Sequence, residues 1–98
     1  MSSFILLQIK VKDPIKLKEY TDPAPSTVAP FGGELIFRSN VSATEWGQSW
    51  HSCAVVIKFP DTESSSGWYT SKGYQDLMEK RNAAADVIAT RYDEPDFF

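Results

Sequence analysis

His51 is the only histidine in the chain, and no other side-chain type present changes charge near neutral pH without help from its surroundings. It stands between Trp50 and an apolar run starting at Cys53, where it reads either as a catalytic acid/base or as a solvated loop residue. Glu45 and Asp22 are possible carboxylate partners, although spacing brings neither beside it. Tyr20 precedes a proline-rich interruption, and its phenol would suit either a pocket wall or a second proton-handling group. Trp68 and Tyr69 combine apolar bulk with a polar tip in the same way, so each reads as core packing or as a substrate-binding surface alongside Trp50. Arg81 shares a helical face with Tyr74, Leu77 and Met78, which draws its guanidinium inward. A structural ion pair with Asp61, Glu63 or a strand carboxylate would satisfy it, and so would a ligand anion; Arg38 carries the same two readings.

Other chemistries are excluded. Cys53 has the parity of Val55, Ile57 and Phe59 and reads as core rather than nucleophile. With one cysteine and one histidine, no disulfide forms within the chain and no metal set of those residue types assembles. Ser64, Ser65 and Ser66 read as a first helical turn, with no strand-turn-helix nucleophile motif around them. Gly32 and Gly33 precede a strand instead of opening a helix, the wrong context for a phosphate cradle. The reading calls for no cofactor and no metal.

The elements that must position these groups follow from the periodicity. Phe4 to Val11 alternates, with Ile5, Leu7, Ile9 and Val11 on a core face and Phe4, Leu6, Gln8 and Lys10 opposite. Asp13-Pro14 opens a helix carrying Leu17, Tyr20, Ala24, Val28 and Phe31 at spacings of three and four, and Pro23 and Pro25 divide it into a piece ending near Tyr20 and another starting near Pro25. Gly32-Gly33 turns the chain into a strand in which Leu35 and Phe37 alternate with Glu34, Ile36 and Arg38. Ser39 to Ser52 reads as a long hairpin loop held down by Trp46 and Trp50. Cys53 to Phe59 is a strand ended by Pro60. Asp61 or Thr62 caps a helix bearing Trp68 and Tyr69, Gly73 breaks it before a piece from Tyr74 to Ala84, and Asp86 to Tyr92 is the last strand. The order β-α-β-β-α-β implies an α+β fold, a four-stranded antiparallel sheet with both helices on one face. Leu6, Ile36, Ala54 and Val56 then lie on a bare face, which a second copy of the chain would cover.

Length and charge bound the rest. Ninety-eight residues at 42% hydrophobic and 23% charged describe one domain, residues 1–98, too short for a second. Thirteen acidic against ten basic residues, scattered along the chain, leave no basic run for nucleic acid. No apolar run exceeds five residues, so neither a membrane span nor a signal core is read, and a cytoplasmic location is expected. Phe97 and Phe98 end the tail as apolar residues that a partner or the chain's own core would bury.

Asp13-Pro14, Tyr20, Phe31-Gly32-Gly33, Phe59-Pro60, Trp68-Tyr69, Tyr74-Gln75 and Arg81 together resemble the domain-of-unknown-function family 1330, of the dimeric α+β barrel, ferredoxin-like superfamily. The resemblance covers nearly the whole chain and implies a homodimer related to cofactor-free monooxygenases, isomerases and cyclases. The chain departs from the family pattern at its prolines, Pro23, Pro25 and Pro30, and at the two tryptophans of the Ser39 to Ser52 loop, where a Gly-rich, acidic turn is expected. No general activity comes with the resemblance; the function expected from the whole reading is a cofactor-independent enzyme (isomerase, cyclase, lyase or monooxygenase) that moves protons on an apolar or aromatic small molecule. The alternative is a non-catalytic homodimer that binds a small molecule or serves as an accessory protein.

Overall fold

Strict alternation makes the first strand, β1 (Ser3–Val11), the centre of the sheet: Ile5, Leu7 and Ile9 are each no more than 6% exposed. In the computed structural model, which describes residues 1–95, β1 pairs antiparallel with β3 (Cys53–Phe59) on one side and β4 (Ala85–Asp93) on the other. β2 (Glu34–Asn40) pairs with β3, giving the order β2-β3-β1-β4. Phe97 and Phe98 lie outside the described residues.

The helices cover the face that carries Ile5, Leu7 and Ile9. Helix α1 (Pro14–Thr21) is capped by Asp13, whose carboxylate accepts from the Lys16 N–H at 3.0 Å. Pro23 and Pro25 remove donors that a continuing helix would use, so the chain restarts as α2 (Ala24–Val28) and tightens into a 3-10 turn, Ala29–Phe31. Gly32 stops that turn in the left-handed region, at φ 70°, where a side chain would be strained.

After β3, Asp61 caps α3 (Thr62–Thr70) by accepting from Ser64 N–H at 2.7 Å. The following break falls at Ser71, not at Gly73 as the sequence suggests. Ser71 turns extended, at ψ 148°, and its hydroxyl accepts from Tyr74 N–H, capping α4 (Lys72–Gln75) with Gly73 inside it. A second interruption at Asp76 and Leu77 leads to α5 (Met78–Ala84), so the expected continuous piece from Tyr74 to Ala84 is two. α5 lies against α1, and the Ala84 carbonyl accepts from both Lys12 N–H and Asp13 N–H at 2.9 and 3.0 Å.

Two corrections concern the sheet edge. Between Leu35 and Phe37 the β2-β3 register slips at a bulge around Ile36. Phe37 therefore sits opposite Val56 on the open face, and Arg38 sits opposite Val55 on the helix face with Leu35, where simple alternation groups Phe37 with Leu35 and Arg38 with Ile36. The loop that follows is held at its base by backbone bonds, Val41 N–H to the Ser52 carbonyl and Ser52 N–H to that of Ile9. Trp46 does not hold it down, being 95% exposed, and of the two tryptophans only Trp50 packs, against His51.

Candidate functional site

The break between α1 and α2 leaves a gap against the sheet. A cavity of about 290 Å³ fills it, walled by α1 and α2 on one side and by Leu7, Val55 and Ile57 on the other. Its size is at the small end for ligand sites, and its walls are mostly apolar. Tyr20 and Trp68, 5% and 0% exposed, form the buried end; Leu35, 55% exposed, and Arg38 form the rim along the β2 edge. Gly33 also lines it and has room for no side chain. A Cβ there would collide with Val28 Cγ1 and lie 2.8 Å from Phe59 Cε1.

The buried end is built from stacked aromatics. Trp68 and Tyr74 have ring centroids 4.1 Å apart, Trp68 and Phe59 5.6 Å, and Tyr20 meets Tyr74 edge-on at 6.0 Å. Trp68 Nε1 donates to Thr27 Oγ1 at 2.9 Å, so the indole's one polar group is satisfied within the protein. The hydroxyls of Tyr20 and Tyr74 share a hydrogen bond at 2.7 Å. Arg81 Nη1 donates to Tyr74 at 3.0 Å and to Tyr69 at 3.2 Å, while its Nε donates to the Asn82 carboxamide oxygen at 3.1 Å.

Arg81 is thus interior, 5% exposed, but its partners differ from those expected. The ion pairs among the described residues are Lys12–Asp86 and Lys72–Asp76, so no carboxylate there, Asp61 and Glu63 included, neutralises it. Asp61 is occupied in capping α3. Phenol oxygens replace the carboxylate, solvating the cation without cancelling its charge. Burial raises the pKa of Tyr20 far above the ordinary phenol value, the neighbouring Tyr74 pushes the same way, and Arg81 offsets only part of it. Burial raises Tyr74 as well, although its bonds to Tyr20 and Arg81 work against the rise. Both phenols are neutral at physiological pH. They can donate hydrogen bonds but cannot act as bases there.

The remaining sequence candidates lie elsewhere. His51 and Trp50 border an open hollow of about 360 Å³ with Gln8, on the opposite face of the sheet from Tyr20. There the imidazole stands against Trp50, with Nδ1 3.1 Å from Ser49 Oγ. Tyr69 borders a third hollow of about 180 Å³ with Ser65 and Arg91. The fold therefore groups Tyr20, Trp68 and Arg38 around one cavity, connects Tyr69 and Arg81 to it through Tyr74, and separates His51 and Trp50 from it. Tyr74 links the two aromatic groups, and its part is legible only as a spacing of seven residues, two helical turns, before Arg81. Burial raises the Cys53 thiol above its ordinary pKa, the opposite of what a nucleophile needs.

The model of the domain of unknown function DUF1330 matches residues 2–91. The chain belongs to the DUF1330 family. Its fold is that of α+β ferredoxin-like proteins. A protein from Jannaschia sp. CCS1, described as dimeric, ferredoxin-like and of unknown function, superposes with a TM-score of 0.78 at 8% identity, covering 96% of this chain and 100% of the other. SnoaB, a cofactor-independent oxygenase from Streptomyces nogalater, gives 0.69 at 8% identity over 96% and 93% of the two chains. A DABB family protein of ferredoxin-like fold from Mesorhizobium loti also gives 0.69 at 8%, over 96% and 97%. At these identities the DUF1330 chain shares a fold with them, and activity is not carried by it. No curated protein matches the sequence. Among the described residues no helix is long and apolar enough to cross a membrane.

Proposed function

We propose that this DUF1330 protein is a homodimer in which each subunit binds one small, largely apolar molecule between the broken first helix and the sheet. The observation that carries the reading is the cavity itself, closed by Tyr20 and Trp68 at its buried end and open at the β2 edge. Prolines keep the helix from closing over that gap, and Gly33 lets Val28 and Phe59 pack closely at its wall. Dimerisation is supported by the open sheet face, where Phe37, Ile88 and Tyr92 are each about half exposed beside Leu6 and Val56, and by the dimeric relative of the same fold. The test is mass spectrometry of small molecules released on denaturing the purified protein. A compound present in the wild type and lost in Ala24→Trp, which fills the cavity, supports the reading; identical content in both variants rejects it.

A second reading, cofactor-independent catalysis by proton transfer, is favoured by the chain of hydrogen bonds from Arg81 through Tyr74 to Tyr20. With Tyr74 as the donor in their shared bond, the neutral Tyr20 phenol would keep its own hydrogen to donate to an oxygen that gains negative charge during isomerisation, cyclisation or oxygenation. The buried Arg81 charge would stabilise that arrangement through Tyr74. His51 has no part in it. Tyr20→Phe would then lower kcat by about 10²-fold or more with KM little changed, whereas a binding protein would lose no turnover.

A further inference from the structure

The cavity has one charged residue in its lining, and a bulge puts it there. Without the slip at Ile36, Arg38 would share the open face of the sheet; with it, the guanidinium stands at the cavity rim beside Leu35. The ion pairs among the described residues do not include Arg38, so a cation faces a mostly apolar chamber with no carboxylate matched to it. The other polar tips are spoken for or uncharged: Trp68 Nε1 is bonded to Thr27, and the Tyr20 hydroxyl to Tyr74.

We infer that the ligand is a small monocarboxylate whose hydrocarbon part fills the cavity and whose carboxylate pairs with Arg38 at the rim. This rests on the ligand-site reading above and adds the chemical class. A guanidinium presents two parallel donors that match a carboxylate's two oxygens. A phosphate monoester brings nearly two negative charges, and the lining offers one cation, with no lysine beside it. At about 30 Å³ for each water-sized group, the cavity volume of about 290 Å³ accommodates on the order of ten non-hydrogen atoms. Medium-chain fatty acids and arylalkanoic acids are of that size. The rim position suits an amphiphile, since the charged head stays near water while the tail is buried.

Calorimetric titration of the full chain with octanoate and octanamide, and with hydrocinnamate and its amide, tests this, because each pair differs mainly in charge. The acid of each pair should bind about fivefold tighter than its amide at low salt, an advantage appropriate to a partly exposed charge pair that shrinks as salt is added. Arg38→Gln should bring the acid of each pair down to the affinity of its amide, and Arg38→Lys should keep part of the preference. Thermal melts of both variants confirm that they fold. Amide and acid bound equally by the wild type, or a preference that survives in Arg38→Gln, would overturn the carboxylate assignment while leaving the ligand site standing. No binding by any of the four compounds would overturn both.

Discussion

Replacing Tyr74 with Phe deletes one hydroxyl, but that hydroxyl accepts from Arg81 at 3.0 Å and shares a hydrogen with Tyr20 at 2.7 Å. A neutral buried hydrogen bond contributes about 1 kcal/mol net and one to a charged group about 1.5–3 kcal/mol, so their joint loss comes to about 2.5–4 kcal/mol. Arg81 retains Tyr69 and Asn82, which places the expected loss in the lower half of that range. On a domain of this length each kcal/mol moves the melting midpoint by about 4–8 °C, so Tyr74→Phe should melt about 10–26 °C below the wild type. Arg81→Met should cost less. It removes the charge together with its desolvation, leaves the Tyr20–Tyr74 bond in place and fills the space with an apolar chain, whereas Tyr74→Phe keeps the buried cation with one partner fewer and breaks the Tyr20 bond as well. Differential scanning calorimetry at one fixed protein concentration measures both, the concentration being held because association would shift the midpoint. A Tyr74→Phe midpoint within about 2 °C of the wild type, or an Arg81→Met protein less stable than Tyr74→Phe, would refute the reasoning.

Three further outcomes are expected. Tyr20 and Tyr74 hold their protons more tightly when folded than at the ordinary phenol value of 10.0, so their contribution is complete below about pH 10 and is lost as the pH rises beyond it, the unfolded chain releasing its protons first. Urea midpoints should therefore fall above pH 10 and fall less steeply in Tyr20→Phe; parallel pH profiles would contradict this. Gly33→Ala should destabilise by about 1–3 kcal/mol through overpacking against Val28 and Phe59, and an unchanged melt would show that the turn relaxes freely. Val56→Asp, in the open sheet face, should give a monomer by light scattering, and an unaltered mass would move the subunit contact elsewhere.

Where the local pattern and the final packing agree, the sequence was legible. The parity of Ile5, Leu7 and Ile9 places them on the helix face, and Asp13-Pro14 opens α1 as its cap chemistry requires. The proline break was equally plain because a missing N–H acts on its own helix. Three things were not legible. A bulge inserts one residue into β2 without any composition mark at Ile36, and that single residue exchanges the faces of Phe37 and Arg38. The phenol partners of Arg81 come from α3 and α4, and a hydroxyl and a carboxylate satisfy the same donor equally well on paper, so only the packing of Tyr69 and Tyr74 selects between them. Ser71 displaced Gly73 as the helix break for a related reason: its hydroxyl offers Tyr74 a cap that a glycine cannot.

The bulge connects these observations to function. An alternating edge strand of this sequence would turn Leu35 and Phe37 toward the helices and Ile36 and Arg38 toward the open face. A cation would then sit on the edge-strand part of the apolar face that the proposed second subunit would cover, and burying it there without a partner charge would be costly. A phenylalanine would meanwhile project toward the gap between α2 and the sheet and reduce it. Slipping the register by one residue resolves both conflicts together, because Phe37 joins Val56 on the open face and Arg38 moves to the cavity rim. The two faces of β2 are thereby fitted to separate tasks. One is apolar enough to pair, and the other gives an apolar cavity a single charge. Neither follows from alternation along the strand, and both depend on the same inserted residue.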